Sequence, residues 1–306
     1  MWFKNLYLYR LRKGFDLDAE ALEQKLQTQA FRPCSALEMS TIGWVAPAGR
    51  KSSLLVHAAN GLLLVTACRQ DRLLPVSVIR DEMQERADKI EIAEDRPVRR
   101  REMAVLREEV TLELTPKALP RNSRINAYID PKEGWLVVDA SSSKRAEELV
   151  SLLRESVGTL SLALPETEIA PASILTGWLH QSQIPQDFEL LDQCVLRDPA
   201  QENSVIRCRG VELDADEIQA HMRSGKQAIQ LALRWADRLE FVMCDNLQIK
   251  QLRFLDIIQE QAADIAAETE IDRLDADFSI MTAELRPLLS RLIEICGGEA
   301  SEESAA

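Results

Sequence analysis

The chain has 306 residues, of which 46% are hydrophobic and 28% are charged, and its formal net charge is −13. This length allows one large domain or two to three smaller ones with real cores, and the composition excludes a globally disordered chain. No segment reaches the ~18 uncharged apolar residues of a membrane helix, and the N-terminus lacks the features of a secretory signal. We therefore expect a cytosolic protein without a membrane partner.

The first part of the chain predicts strands and one helix. Residues 5–12 alternate between apolar and polar, which indicates a strand, and apolar residues at helical spacing predict a helix over 18–29. Asn60 and Gly61 separate two apolar runs, and a tight hairpin is predicted there because both turn positions need positive φ.

Two charged helices with thin apolar stripes are predicted next. The first runs to about residue 95 with Ser77 as its N-cap, and the second begins near Pro97, which suits a first helical turn. Because their remaining faces are heavily charged, they suit a projecting hairpin better than a core.

The chain then returns to strands, over 125–130 and 135–139, followed by a helix over 143–157 that Gly158 ends. The segment 160–186 contains three prolines and indicates a boundary with one short helix.

The final third predicts strand, strand, helix, strands, helix. The strand candidates are 188–196, 205–209, 229–235, 238–244 and 247–254. From Ile271 to Ile295, apolar residues recur at steps of three and four and define one helical face. We expect this helix to pack on its own sheet rather than form a dimer zipper, and Pro287 to kink it.

These elements predict an α+β fold with mixed antiparallel sheets and a projecting helical hairpin. We divide the chain into a central α+β domain of residues 1–75 plus 118–165, a tip domain of residues 76–117, and a C-terminal α+β domain of residues 166–306 with the long final helix.

The sequence has little that indicates catalysis. Lys226 follows Ser-Gly as at the end of a phosphate loop, but Gln227 stands where a magnesium-binding hydroxyl is needed. Glu240, Asp245 and Lys250 fit a nuclease-like set, although acids and lysines are common at strand ends. We assign no catalytic residue, and a metal-dependent nuclease remains the enzyme alternative.

The cysteines and histidines give no metal site. Six cysteines and three histidines are scattered along the chain, and no Cys-x-x-Cys pair occurs. In a chain without an export signal, isolated cysteines favour reduced, mostly buried thiols over disulfides or zinc. We assign no metal and no other cofactor.

Charge is distributed unevenly along the chain. From Arg96 to Arg124 there are eight bases and four acids, whereas from Glu260 to the end there are twelve acids and three bases. Arginine forks match phosphate oxygens bidentately, so the basic segment favours phosphate recognition. The alternative is a solvated helix face with local pairs such as Arg99 with Glu102.

Seven blocks of sequence carry a family resemblance. They are 2–11, 39–47 with Gly-Trp-Val, 57–61, 74–79, 241–245, 275–285 and 297–300. In this order, and over essentially the whole chain, they resemble the RdgC family of recombination-associated proteins.

The resemblance implies a bacterial nucleoid-associated protein with an α+β fold and no enzymatic activity. It further implies a ring-shaped homodimer that encircles duplex DNA without sequence preference and restrains RecA-promoted strand exchange. The aromatic content of 5% agrees with duplex binding, because single-strand platforms stack bases on aromatic rings. A protein that contacts RecA directly through its acidic C-terminal region is the alternative.

The resemblance does not assign individual DNA contacts, so we choose the densest basic groups. The predicted DNA-binding residues are Arg96, Arg99, Arg100, Arg101, Lys117, Arg121, Arg124, Arg207, Arg209 and Lys226. A two-fold ring needs two self-complementary contacts. We predict one at residues 116–120 with Leu119 as its apolar plug, where some family members carry phenylalanine, and the other among the strands of the core or the last third.

Overall fold

The computed structural model describes residues 1–49, 51–181, 184–265 and 267–300. Within these ranges the chain has eight α-helices and twelve strands, and the strands form one sheet whose pairings are antiparallel. The predicted α+β class is confirmed, although a single continuous sheet replaces the separate sheets that we expected. None of the described helices is both long and apolar enough to cross a membrane.

The strands are β1 (Leu6–Leu11), β2 (Ser40–Val45), β3 (Val56–Ala59), β4 (Leu62–Leu73), β5 (Leu119–Asp130), β6 (Trp135–Asp139), β7 (Leu162–Ala163), β8 (Phe188–Asp198), β9 (Gln201–Arg209), β10 (Gln227–Trp235), β11 (Leu239–Cys244) and β12 (Ile249–Phe254). The helices are α1 (Ala19–Gln27), α2 (Val76–Glu94), α3 (Arg100–Leu114), α4 (Ser143–Val157), α5 (Pro171–Gln181), α6 (Asp216–Arg223), α7 (Asp256–Asp264) and α8 (Glu270–Ile295). The sheet order is β2-β4-β5-β6-β1-β12-β11-β10-β8-β9, with β3 beside β4 and β7 beside β1.

The elements with strong local signals are confirmed. Asn60 and Gly61 turn the β3–β4 hairpin with φ of 52° and 77°. Gly158 ends α4 with φ of 89°. Strand β2, helix α7 and the two-residue strand β7 were not predicted.

Both predicted helix starts in the tip hairpin are wrong. Helix α2 begins at Val76, directly after Pro75 and without a side-chain cap, so Ser77 lies inside it. Helix α3 begins at Arg100, which leaves Pro97 in the connection. The carboxylate of Glu102 accepts the Arg99 backbone N–H at 2.8 Å and satisfies a donor at the helix start.

Two hydrophobic cores lie on opposite faces of the sheet. On one face, α1 and α4 pack through Leu22 and Leu153 against strands β1 to β6. On the other face, α8 packs through Phe278 and Leu285, in the core that also holds the buried residues of α5 and α6. The expectation that the final helix packs on its own sheet is confirmed, and α8 continues through Pro287.

The half of the sheet made of β8 to β12 has helices on one face. Its buried helical partners, from α5 to α8, belong to the core that contains α8, and the core under α1 and α4 has no residue from these strands. The two halves meet where Leu6 of β1 pairs with Ile249 of β12. The division into three domains stays a prediction. Helix α8 packs on strands from both halves of the sheet.

The outer edge of β2 is covered by the segment after α1. The Phe31 N–H donates to the Trp44 carbonyl, and the Trp44 N–H donates to the Gln29 carbonyl, both at 2.9 Å. This approach requires glycine at position 43, because a Cβ there would lie 2.5 Å from the Cα of Phe31. The Gly-Trp-Val block therefore closes one sheet edge.

Candidate nucleic-acid interface

Arg96 is held inside the tip hairpin by carboxylates. Its guanidinium donates to both oxygens of Glu102, at 2.8 and 2.9 Å, and lies 2.5 Å from Glu94. These hydrogen bonds raise the pKa of Arg96, and the same contact lowers the pKa of Glu102 to about 2. Arg96 therefore links the α2–α3 connection to the first turn of α3, and phosphate binding would have to displace two carboxylates.

The next three arginines, Arg99, Arg100 and Arg101, form what we call the tip cluster. All three are exposed, and within the described ranges no carboxylate lies within ion-pair distance of them. The side-chain pair of Arg99 with Glu102, expected for a solvated helix face, is not formed because Glu102 binds Arg96 instead. Three exposed guanidiniums without an ion pair in the described residues thus lie together at the start of α3.

The bases that follow α3 do not share one surface. Lys117 binds Glu113 at 3.1 Å. Arg121 and Arg124 are exposed on β5, which begins earlier than predicted, and neither has a carboxylate partner in the part of the chain that the structure describes. Being three residues apart on a strand, they lie on opposite faces of the sheet. The register places Arg124 beside Cys68.

The predicted bases of the last third differ from one another in exposure and in pairing. Arg207 and Arg209 are exposed on β9, and Cys208 between them packs against the core, so both arginines face away from α8. Neither is paired with an acid in the described segments. Lys226 is only 14% exposed, with its Nζ 3.7 Å from the carboxylate of Asp198.

Sequence reasoning missed four bases on the face of β8 to β12 that faces away from α8. Alternation with core residues places them there together with Arg207 and Arg209, and we call this set the bare sheet face. The residues absent from the predicted DNA contacts are Arg197, Arg234, Lys250 and Arg253, of which Lys250 was predicted only as part of the nuclease-like set. Acids partly neutralise them, because Arg197 binds Asp245 at 3.0 Å and Arg234 binds Glu240 at 2.9 Å. Strand alternation in the sequence could have revealed them.

Leu119 lies at the exposed end of the long β4–β5 ribbon. It is 73% exposed, and its neighbour across the ladder, Leu73, is 49% exposed. Val76 and Leu112 of the adjoining hairpin are also more than half exposed. The base of the hairpin therefore presents apolar side chains to solvent, which fits the predicted self-contact.

Comparison with known proteins gives the family. The profile described as "Putative exonuclease, RdgC" matches residues 1–299. The chain belongs to the RdgC family. It is 46% identical to the recombination-associated protein RdgC of Halorhodospira halophila over 299 residues, which cover 98% of this chain and 99% of the relative.

Two further RdgC proteins match over at least 98% of their length. The recombination-associated protein RdgC of Tolumonas auensis is 40% identical over 302 residues, 99% of this chain and 100% of the relative. That of Pseudomonas aeruginosa PAO1 is 40% identical over 300 residues, 98% of each chain. The resemblance expected from the seven sequence blocks is confirmed.

The RdgC relatives are named for recombination, whereas the profile description names an exonuclease. The acids of the nuclease alternative are engaged with arginines: Asp245 with Arg197, and Glu240 with Arg234 and Arg253. Within the described residues, no three His, Cys, Asp or Glu side chains are grouped so as to hold a metal ion.

Several acids of the C-terminal region bind within the chain. On α8, Asp277 binds the Met1 amino group, Asp275 lies 3.1 Å from His57, and Glu284 binds Arg238 in two hydrogen bonds of 2.5 and 2.7 Å. These contacts attach α8 to the N-terminus, to β3 and to the turn between β10 and β11. The surface through which the alternative function would contact RecA is therefore less acidic than the sequence count implies.

Proposed function

We propose that this protein binds duplex DNA without sequence preference, encloses it as a ring-shaped homodimer, and in this way restrains RecA-promoted strand exchange on the nucleoid. The observation that carries the proposal is the unpaired state of seven of the ten predicted bases. In a chain with net charge −13, these exposed arginines have no carboxylate partner in the described ranges, while Arg96, Lys117 and Lys226 do.

Unpaired arginines are suited to phosphate. Each can bind a phosphate without first giving up an ion pair, and release of counterions from DNA then drives binding. Such contacts hold the duplex but carry no sequence information. The acidic remainder of the surface repels DNA and directs it to these arginines.

The ring is supported by two features of the monomer. The exposed apolar side chains of Leu119 and Leu73 are suited to one contact between copies. For the second contact, β9 ends the sheet order, and its outer edge pairs with no other strand of the described residues. Two copies of β9 can pair antiparallel across a two-fold axis and continue the sheet.

The DNA-binding part is tested by titrating salt in gel shifts on several duplexes of unrelated sequence. We expect equal affinities and a steep loss of binding with salt. A single preferred sequence, or binding that does not respond to salt, contradicts the proposal. Incubation of the same duplexes with Mg²⁺ or Mn²⁺ tests the exonuclease alternative, for which Asp245→Ala is the matched variant.

The ring is tested with Leu119→Cys. If two copies meet at Leu119, oxidation crosslinks them, and the crosslinked dimer stays on circular DNA but slides off linear DNA at high salt. Loss from both substrates at equal rates contradicts encirclement. The alternative of direct RecA contact predicts that Arg99→Ala, Arg100→Ala and Arg101→Ala together abolish DNA binding but leave inhibition of strand exchange intact.

A further inference from the structure

The neck of the tip hairpin comprises residues 72–75, where the chain leaves β4, and 115–120, where it returns to β5. Across the ladder, Arg72 faces Pro120, which has no N–H to donate. The Arg72 carbonyl accepts the N–H of Leu74 at 3.0 Å, and the ladder ends one residue beyond Arg72, at Leu73 and Leu119. Backbone pairing therefore stops where the direction of the hairpin is set.

The side chain of Arg72 spans this neck. Its Nη1 donates to the carbonyls of Ala118, at 3.1 Å, and Pro116, at 3.5 Å, while its Nη2 donates to the carbonyl of Ser35 at 3.2 Å. Its Nε is buried without a hydrogen-bond partner, and no carboxylate of the described chain forms an ion pair with it. This half-buried cation is held by carbonyls from two separate segments.

The carbonyl of Ser35 belongs to a loop that is itself tied down. Arg32 donates to both oxygens of Glu38, at 2.6 and 2.7 Å, and Glu38 also accepts the Ser35 N–H at 2.8 Å. The Cys34 N–H donates to the side-chain oxygen of Gln70 on β4 at 2.8 Å. The loop over 32–39 is thus a brace attached to the sheet, and Arg72 joins it to the returning chain.

We infer that Arg72 is a positioning residue that sets the direction of the α2–α3 hairpin and the placement of Leu119. The planar guanidinium holds its donors in one rigid fork, so the brace, the turn at Pro116 and the start of β5 keep one relative orientation. Lysine carries the same charge but has no such fork. The link to Leu119 rests on the proposed ring, whereas the effect on the hairpin does not.

The experiment compares Arg72→Lys with the matched control Arg80→Lys on the exposed side of α2. Hydrogen exchange followed by mass spectrometry reports the neck, and tryptophan fluorescence reports the sheet, because all five tryptophans lie outside the tip hairpin. We expect exchange over 115–119 to accelerate about tenfold in Arg72→Lys, the effect of losing about one hydrogen bond. The unfolding transition measured by tryptophan fluorescence should change little.

The second readout is the rate of the Leu119→Cys crosslink, which should fall in Arg72→Lys and not in Arg80→Lys. Exchange over 115–119 at the parental rate overturns the inference. So does accelerated exchange across the whole sheet, which would make Arg72 a general stabiliser. If Leu119→Cys fails to crosslink with Arg72 intact, the ring proposal fails, and the exchange experiment alone decides the role of Arg72.

Discussion

Removing the tip cluster should change how DNA binding responds to salt. Replacing Arg99, Arg100 and Arg101 by glutamine removes three exposed positive charges, which takes the net charge from −13 to −16. None of the three forms an ion pair with an acid in the described residues. Each neutralised phosphate contributes ~0.9 to the slope of log affinity against log salt, so the triple variant should lose about 2.7 from that slope.

The same number predicts the size of the effect. Between 50 and 200 mM salt, a slope difference of 2.7 changes the ratio of parental to variant affinity by roughly 40-fold, with the larger defect at low salt. Fluorescence anisotropy with a labelled duplex measures both affinities across the series.

Lys89→Gln is the matched control. Lys89 lies on the same hairpin and has the same charge, but it is bound to Glu85 at 2.7 Å, and its removal should leave the slope close to the parental value. A triple variant with the parental slope would show that the tip cluster does not touch phosphate. Equal slope losses for Lys89→Gln and for each single tip variant would show that only net charge matters.

Three further predictions concern the fold. Gly43→Ala should destabilise the protein in urea unfolding by about 1–3 kcal/mol through overpacking, because its Cβ would collide with the neighbouring backbone. Gly177→Ala is the control: a Cβ there meets no atom within 4 Å, and the change should stabilise the protein by ~0.5–1 kcal/mol. The pKa of Glu102 is lowered from 4.5 to about 2, so its stabilising contribution is complete above pH 4.5 and disappears towards pH 2. NMR signals of the α3 start should follow that loss in the parent and not in Glu102→Gln. Burial raises the pKa of Cys194 to about 12, so iodoacetamide at pH 8 should modify half-buried Cys208 and spare Cys194, as peptide mass spectrometry would show.

Features with a local physical cause could be predicted from the sequence. The Asn60-Gly61 hairpin follows from backbone sterics at two residues, and the buried face of α8 follows from its own periodicity. The neighbours of β1 could not be predicted in this way. It pairs with β6 and β12, which come about 130 and 240 residues later, and nothing within residues 6–11 encodes that choice.

The candidate site shows the same limit. Four arginines lie between 96 and 101, and their composition does not reveal that Glu102 binds Arg96 and leaves the other three unpaired. Which arginine Glu102 binds depends on where α3 begins, and the sequence prediction placed that start three residues too early. The opposite orientations of Arg121 and Arg124 could have been read from strand alternation had β5 been extended to Leu119.

The position of α8 has a consequence for the order of events during synthesis. Residues 6–11 and 62–73 leave the ribosome early, but the helix that covers one face of their strands, through Phe278 and Met281, is made near the end of the chain. Until about residue 290 has emerged, that apolar face stays open to water and to other chains. The nascent protein therefore passes through a period in which this apolar face can aggregate or bind a chaperone.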